Sequence, residues 1–167
     1  MKLSTAKTIL RHCKQYLDLG QLRVAQTKED WVYLNHEHVI GVALEESAEE
    51  RVWNEWMIQY VKDTFNYQLT IEQMDIFSLF HELGHHMVGD ICTNEEYYML
   101  TQEIEEGDYY SYRQIPDEYA ADEFAISFLK EHMEEIENLI WIDRIIGHHI
   151  MWCLLLCLFI GTINYMG

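Results

Sequence analysis

Residues 70–89 constrain the fold of this chain more than any other stretch, because they combine a helix-capping sequence with a regular apolar pattern. Thr70 and Gln73 stand three residues apart, the spacing at which two side chains satisfy the free backbone donors of a helix N-terminus. Apolar residues then recur at steps of three and four as far as Met87, and Gly89 is a typical C-terminal stop. We therefore predict a helix that is buried on much of its circumference.

The same helix carries the pattern His-Glu-x-x-His at His81, Glu82 and His85. Residues four apart lie on one face of a helix, so both imidazoles can bind the same metal ion. Glu82 lies beside them, where it can act as general base on a metal-bound water. Two imidazoles and a carboxylate on a buried helix are costly unless a partner compensates them, and a metal ion does so. Gly84 destabilises a helix by about 1 kcal/mol relative to Ala, which predicts a tight packing contact near the metal-binding face.

A third ligand is expected, because catalytic zinc sites commonly hold the ion with three protein side chains, and two His with one Glu is a frequent set. The chain from Pro116 onward predicts a long amphipathic helix. Glu118 and Asp122 lie four apart on it, between small Ala residues that permit the close approach of another helix. We predict Glu118 as the ligand and Asp122 as the acceptor that orients His81 or His85. The alternative is that both are solvated carboxylates of a very acidic chain.

The sequence H-E-L-G-H at 81–85, followed by E-x-x-A-D-x-F-A at 118–125, resembles the ImmA/IrrE family of zincin metallo-endopeptidases. The resemblance implies that Zn²⁺ is held by His81, His85 and Glu118. It also implies that Glu82 activates a zinc-bound water to hydrolyse a peptide bond in a protein substrate. Family members act on DNA-binding repressors, so a transcriptional repressor is the implied substrate. Two alternatives stay open: a catalytically silent, zinc-containing interaction module and a membrane-tethered metalloprotease.

The fold class that we expect is α+β but mostly helical: a zincin-like domain with a small β-sheet beside the motif helix and a hydrophobic C-terminal helix. With 167 residues, about half of them hydrophobic, and one Pro, the chain can form a single domain over residues 1–167. A basic N-terminal helix is expected over residues 1–28 and an apolar helical segment over residues 139–167. In the first half of the chain we predict a helix at Ser4–Leu19 and two strands, Trp31–Leu34 and Val39–Leu44, joined as a hairpin. A capping box at Ser47 then begins a helix that ends at Phe65, with a core-facing apolar stripe from Val52 onward. An acidic helix at Asn94–Glu106 and a Tyr-rich loop over residues 107–115 follow.

Charge is distributed unevenly along the chain, whose net charge is −18. Residues 1–28 hold six of the eleven basic residues, and Asp18 is the acid among them. The strongly negative remainder repels phosphate, so direct nucleic-acid binding is not expected. A basic segment of a protein partner matches this charge better, although simple solubility explains it as well.

Several weaker candidates surround the motif. The loop over residues 107–115 lies between the two zinc motifs, where Arg113 or a Tyr hydroxyl can stabilise an oxyanion, although packing is the more common role of such residues. His36 and His38 alternate in the predicted hairpin and could bind a metal, but a solvated turn is the favoured interpretation. His86 points away from His85 on a helix and is expected not to be a ligand.

Residues 150–166 form a run of seventeen residues without a charge. A helix of this length reaches about 25 Å, which is short of the ~30 Å hydrocarbon core of a membrane. We favour a core helix or a homo-oligomer interface, and a membrane anchor is the alternative. Lys7, Arg11 and Lys14 interrupt the N-terminus, so no export signal is expected, and four Cys without a C-x-x-C pattern indicate reduced thiols in the cytoplasm.

Overall fold

The computed structural model describes residues 1–28, 31–43 and 48–163, with the side chains of 48–51, 143–144 and 146–163 left outside that description. The chain divides into two compact units, Met1–His132 and Met133–Gly167, and the prediction of one domain over residues 1–167 stays a prediction. The described elements are α1 (Leu3–Cys13), β1 (Arg23–Thr27), β2 (Val32–Leu34), β3 (Val39–Ala43), α2 (Ala48–Phe65), α3 (Met74–Val88), α4 (Asn94–Glu103), α5 (Tyr109–Arg113) and α6 (Pro116–Ile163). The fold is therefore mostly helical with a small sheet, as predicted.

The sheet has three strands in the order β1-β3-β2. β3 lies in the centre, and all five of its residues are buried. It pairs in parallel with β1 and antiparallel with β2. Strands β2 and β3 form the predicted hairpin and are joined by a 3-10 turn at Asn35–Glu37. Helix α3 packs against β2 and β3, whereas α1 packs against β1. The small sheet therefore lies beside the motif helix, as expected.

Helix α3 begins and ends where its sequence predicts. The Thr70 hydroxyl and the Gln73 side chain form a reciprocal capping box, and a 3-10 turn at Ile71–Gln73 leads into the helix. Gly89 ends it with a positive φ of 76°, a conformation that glycine adopts without strain. The largest side chains of the helix are fully buried in the core of the first unit; these are Phe77, Leu79, Phe80 and Leu83.

Gly84 brings α3 into close contact with α6. A Cβ atom built on Gly84 would lie 2.7 Å from both the Cα and the carbonyl oxygen of Ala121, and no side chain can occupy that space. Ala121 and Ala125 are fully buried on the opposing helix. The predicted packing contact is confirmed, and it holds the two motif-bearing helices at backbone distance.

The structure corrects four expectations drawn from the sequence. Helix α1 ends at Cys13 instead of Leu19, so residues 1–28 are not one helix. The chain turns near Gly20 and forms β1, a strand that the sequence did not predict, because its residues pair with β3 across the chain and show no clear alternation. A five-residue helix, α5, replaces the predicted loop, since the Asp108 side chain accepts the Ser111 N–H and starts a turn. Val52 is 65% exposed and lies outside the core stripe.

The predicted C-terminal helix is present, because α6 continues to Ile163. Whether residues 150–166 form a core, an interface or an anchor depends on side chains that lie outside the described residues. The predicted capping box at Ser47 lies outside them too. Among the residues that the structure describes, we find no helix that is both long and apolar enough to cross a membrane.

We predict that Gly84→Ala destabilises the protein by about 1–3 kcal/mol, because the new methyl group must push α6 away or distort α3. The free energy of unfolding in urea measures this loss. Val88→Ala is the matched control: Val88 is 44% exposed at the end of the same helix, and its loss should change stability by less than about 0.5 kcal/mol. Equal stability of the two variants would contradict the close contact.

Candidate metal centre

His81, His85 and Glu118 converge where α3 faces α6, and each offers a ligand atom within 4.8 Å of the others. Nε2 of His81 lies 3.2 Å from Nε2 of His85 and 3.3 Å from Oε2 of Glu118. Nε2 of His85 lies 3.7 Å from Oε1 of Glu118. Tetrahedral zinc with bonds of 2.0–2.1 Å separates its ligand atoms by roughly 3.3–3.4 Å, so this spacing suits such an ion. Within the described part of the chain, it is the one group of three His, Cys, Asp or Glu residues with a spacing that fits a metal.

Asp122 fixes the orientation of His81. Its Oδ1 lies 2.9 Å from Nδ1 of His81, and the Asp122 side chain is fully buried. With Nδ1–H donating to the carboxylate, Nε2 is directed toward His85 and Glu118. The sequence did not decide whether Asp122 orients His81 or His85, and in the structure it contacts His81.

Arg113 lies deeper in the site than the sequence suggested. Its Nη1 donates to Oε2 of Glu118 at 3.1 Å and to Oδ1 of Asp122 at 3.3 Å, and the residue is only 6% exposed. The guanidinium also lies 5.2 Å from the ring centroid of Trp53, a distance typical of a cation–π contact. The structure therefore gives Arg113 two carboxylate partners, whereas the sequence had offered an oxyanion donor as the less common alternative to packing.

Two tyrosines hold the other oxygen of Glu118. The hydroxyls of Tyr97 and Tyr112 donate to Oε1 at 2.9 Å and 3.1 Å. Together with Arg113, they leave the carboxylate fixed from both sides. Tyr112 belonged to the suspected Tyr-rich segment, but sequence reasoning missed Tyr97, because nothing in the exposed, acidic helix α4 distinguishes it from its neighbour Tyr98.

Burial and charge shift the pKa values of the site in opposite directions. Burial and the Arg113 charge lower the pKa of His81, but Asp122 and Glu118 outweigh them and hold it at about 9. Burial and the neighbouring charge of His81 lower the pKa of His85 to about 4. Burial raises the pKa of Glu118, yet the His81 hydrogen bond and the charges of His81 and Arg113 hold it well below its usual range. These shifts favour a protonated His81 and a neutral His85 beside an ionised Glu118.

Glu82 lies beside the three candidate metal ligands in a cleft of about 760 Å³. It is 8% exposed, burial raises the pKa of its carboxyl, and the backbone N–H of Tyr33 on β2 is its hydrogen-bond partner. A carboxyl with a raised pKa is suited to accept and return a proton near neutral pH. Much of the remaining wall is aromatic, from Trp31, Tyr33, Trp53, Tyr97, Tyr109 and Tyr112.

The three weaker histidine candidates, His36, His38 and His86, lie outside this group. Nδ1 of His86 lies 2.8 Å from the Tyr33 hydroxyl, and His86 does not belong to the group of three candidate ligands. His38 adopts a left-handed backbone conformation with φ of 51° and approaches the same hydroxyl at 3.3 Å. His36 lines the cleft, and neither His36 nor His38 belongs to a metal-binding group among the described residues.

No protein-family model, no curated protein and no solved structure matches this chain. The resemblance to the ImmA/IrrE family therefore depends on the two sequence motifs alone.

We predict that Arg113→Gln destabilises the metal-free protein by about 3 kcal/mol or more, because it leaves two buried carboxylates, Glu118 and Asp122, with His81 as the cation that remains beside them. Urea unfolding in the presence of a chelator measures the loss. Tyr112→Phe removes a neutral donor from the same Glu118 carboxylate and should cost only about 1 kcal/mol. If both variants lose the same free energy, the Arg113 charge does not stabilise the metal-free site.

Proposed function

We propose that this chain is a cytoplasmic zinc metallo-endopeptidase of the ImmA/IrrE type that hydrolyses a peptide bond in a protein substrate. The observation that carries the proposal is the set of three side chains, His81, His85 and Glu118, whose nearest ligand atoms lie 3.2–3.7 Å apart at the wall of a cleft that also contains a buried carboxylate. A hydrolytic zinc site needs both parts: side chains that hold the ion and a base with access to water. His81, His85 and Glu118 would hold the metal, and Glu82 is the base.

The proposed reaction divides its roles among residues of two helices. When bound, Zn²⁺ would polarise the scissile carbonyl and lower the pKa of a water toward ~7. Glu82 takes a proton from the attacking water as the new C–O bond forms, and it passes that proton to the leaving amine as the C–N bond breaks. Asp122 keeps His81 in the tautomer that directs Nε2 into the site.

The same site also contains side chains that hold the Glu118 carboxylate in position. Tyr97, Tyr112 and Arg113 fix the Glu118 carboxylate, so the third ligand needs little reorganisation to bind. Partners of this kind typically change metal affinity by about 10–100-fold when they are removed. The number of donors to Glu118 is more than a solvated surface carboxylate would have, which supports the ligand assignment over that alternative.

The cleft can take a segment of a polypeptide, because it is open to solvent, has a volume of about 760 Å³ and combines aromatic with polar side chains along its wall. The resemblance to the ImmA/IrrE family suggests a DNA-binding repressor as the substrate. Repressors encoded beside this gene are therefore the substrates to test.

We predict that Glu82→Gln keeps both the fold and the bound zinc but lowers cleavage by at least about 10²-fold, because the base is lost while the ligands remain. His85→Ala should instead lose the metal, and with it all cleavage. Metal content by atomic spectroscopy and cleavage of the neighbouring repressors measure the two effects separately.

Glu72→Gln is the matched control for the charge change: Glu72 is exposed, and its loss should leave zinc content and cleavage unchanged. Full cleavage by Glu82→Gln would contradict the mechanism. Zinc that stays bound to a wild-type protein without any cleavage would instead favour the interaction module.

A further inference from the structure

Residues 88–110, which we call the 88–110 surface, combine negative charge with exposed apolar side chains. The segment contains no Lys or Arg. It carries seven acidic residues: Asp90, Glu95, Glu96, Glu103, Glu105, Glu106 and Asp108. It also carries seven of the large apolar or aromatic side chains that are exposed: Val88, Ile91, Tyr98, Met99, Leu100, Tyr109 and Tyr110.

Helix α4 at the centre of this surface is not a core element. None of its ten residues is buried. Only Tyr97 and Thr101 along the helix are half-buried, and Tyr98 and Met99 are 61% and 54% exposed. Contiguous exposed apolar patches are typical of interaction sites, whereas single scattered side chains need no explanation. The seven exposed side chains here all belong to one segment of the chain.

The 88–110 surface borders the cleft. Cys92, Asn94, Tyr97 and Tyr109 belong to both, and the Tyr97 hydroxyl reaches the Glu118 carboxylate. The loop before α4 is fixed to the start of α6, because both oxygens of Asp117 accept backbone N–H groups, those of Ile91 and Cys92. A ligand on this surface is therefore next to the proposed catalytic residues.

We propose that the 88–110 surface docks a segment of the protein substrate that combines Lys or Arg with apolar side chains, and that this docking presents the neighbouring peptide bond to the cleft. The proposal depends on the proposed function for the identity of the partner, not for the existence of the surface. Charge complementarity selects the occupant, since seven carboxylates without a basic residue repel acidic segments and attract basic ones. The apolar side chains then supply buried area that charge alone does not.

A second copy of this chain is the competing occupant, because residues 1–28 are themselves basic. Docking between copies would appear as concentration-dependent association that depends on Tyr98 and Met99. That result would overturn the proposal of a substrate site.

The test uses the full-length Glu82→Gln variant loaded with zinc, so that binding is measured without cleavage. The probe is a short fluorescent peptide of lysine, leucine and serine, and its matched control replaces each lysine with glutamate. We expect the lysine peptide to bind at least about tenfold tighter than the glutamate peptide by fluorescence anisotropy, with an affinity that falls as salt increases. Equal affinity of the two peptides would overturn the proposal.

Variants of the surface locate the binding. Tyr98→Ala with Met99→Ala should weaken binding of the lysine peptide by about tenfold or more, because aromatic and Met side chains commonly dominate such contacts. Glu95→Gln with Glu103→Gln should weaken binding and reduce its salt dependence. Ile71→Ala and Glu72→Gln, on exposed residues away from the surface, are the matched controls and should leave binding unchanged. Identical effects of surface and control variants would overturn the proposal.

The two proposals fail in distinguishable ways. If zinc-loaded wild type cleaves a repressor and Tyr98→Ala with Met99→Ala cleaves it with the same kcat/KM, the docking surface is wrong and the proposed function stands. If the lysine peptide binds as expected but no repressor is cleaved, the surface stands and the peptidase proposal fails.

Discussion

The contact between Gly84 and Ala121 is the constraint on which the site depends. His81 and His85 lie on α3, whereas Glu118 and Asp122 lie on α6, and these pairs meet only if the helix backbones approach closely. A distance of 2.7 Å from an added Cβ to Ala121 leaves no room for any side chain at residue 84. The glycine costs helix propensity, about 1 kcal/mol against Ala, and the packing of α3 on α6 offsets it. A residue that is locally unfavourable is thus required by the geometry of the site.

Short-range sequence patterns were sufficient to predict the elements whose ends and faces depend on neighbouring residues. The capping box at Thr70 and Gln73, the apolar periodicity and Gly89 together located α3, and the i, i+4 spacing placed both imidazoles on one face. Glu118 and Asp122 could be proposed for the same reason. Strand β1 could not be predicted, because its pairing with β3 is a long-range interaction between residues with little apolar alternation. Asp108 is a typical N-cap residue for the short helix α5, but five residues are too few to show a helical periodicity.

Arg113 illustrates a different limit of sequence reasoning. Nothing in its neighbours indicates a buried cation, and the segment around it is rich in Tyr, which suggests a rim. Its partners Glu118 and Asp122 are near in sequence but belong to the next helix, and the contact with His81 joins residues 32 apart. Only the packing of α5 beside α3 and α6 brings these groups together. A side chain whose partners belong to other secondary-structure elements cannot be identified from a single sequence.

The charges of the site balance, and this balance explains why a cation is buried there. Without a metal, protonated His81 and Arg113 offset the carboxylates of Glu118 and Asp122, so the four formal charges sum to zero. Burial disfavours an unbalanced fifth charge, which is consistent with the raised pKa of Glu82. A divalent ion in place of the His81 proton would leave one excess positive charge, and ionised Glu82 would restore neutrality. Arg113 would thus keep the buried charges of the site balanced both with a metal and without one.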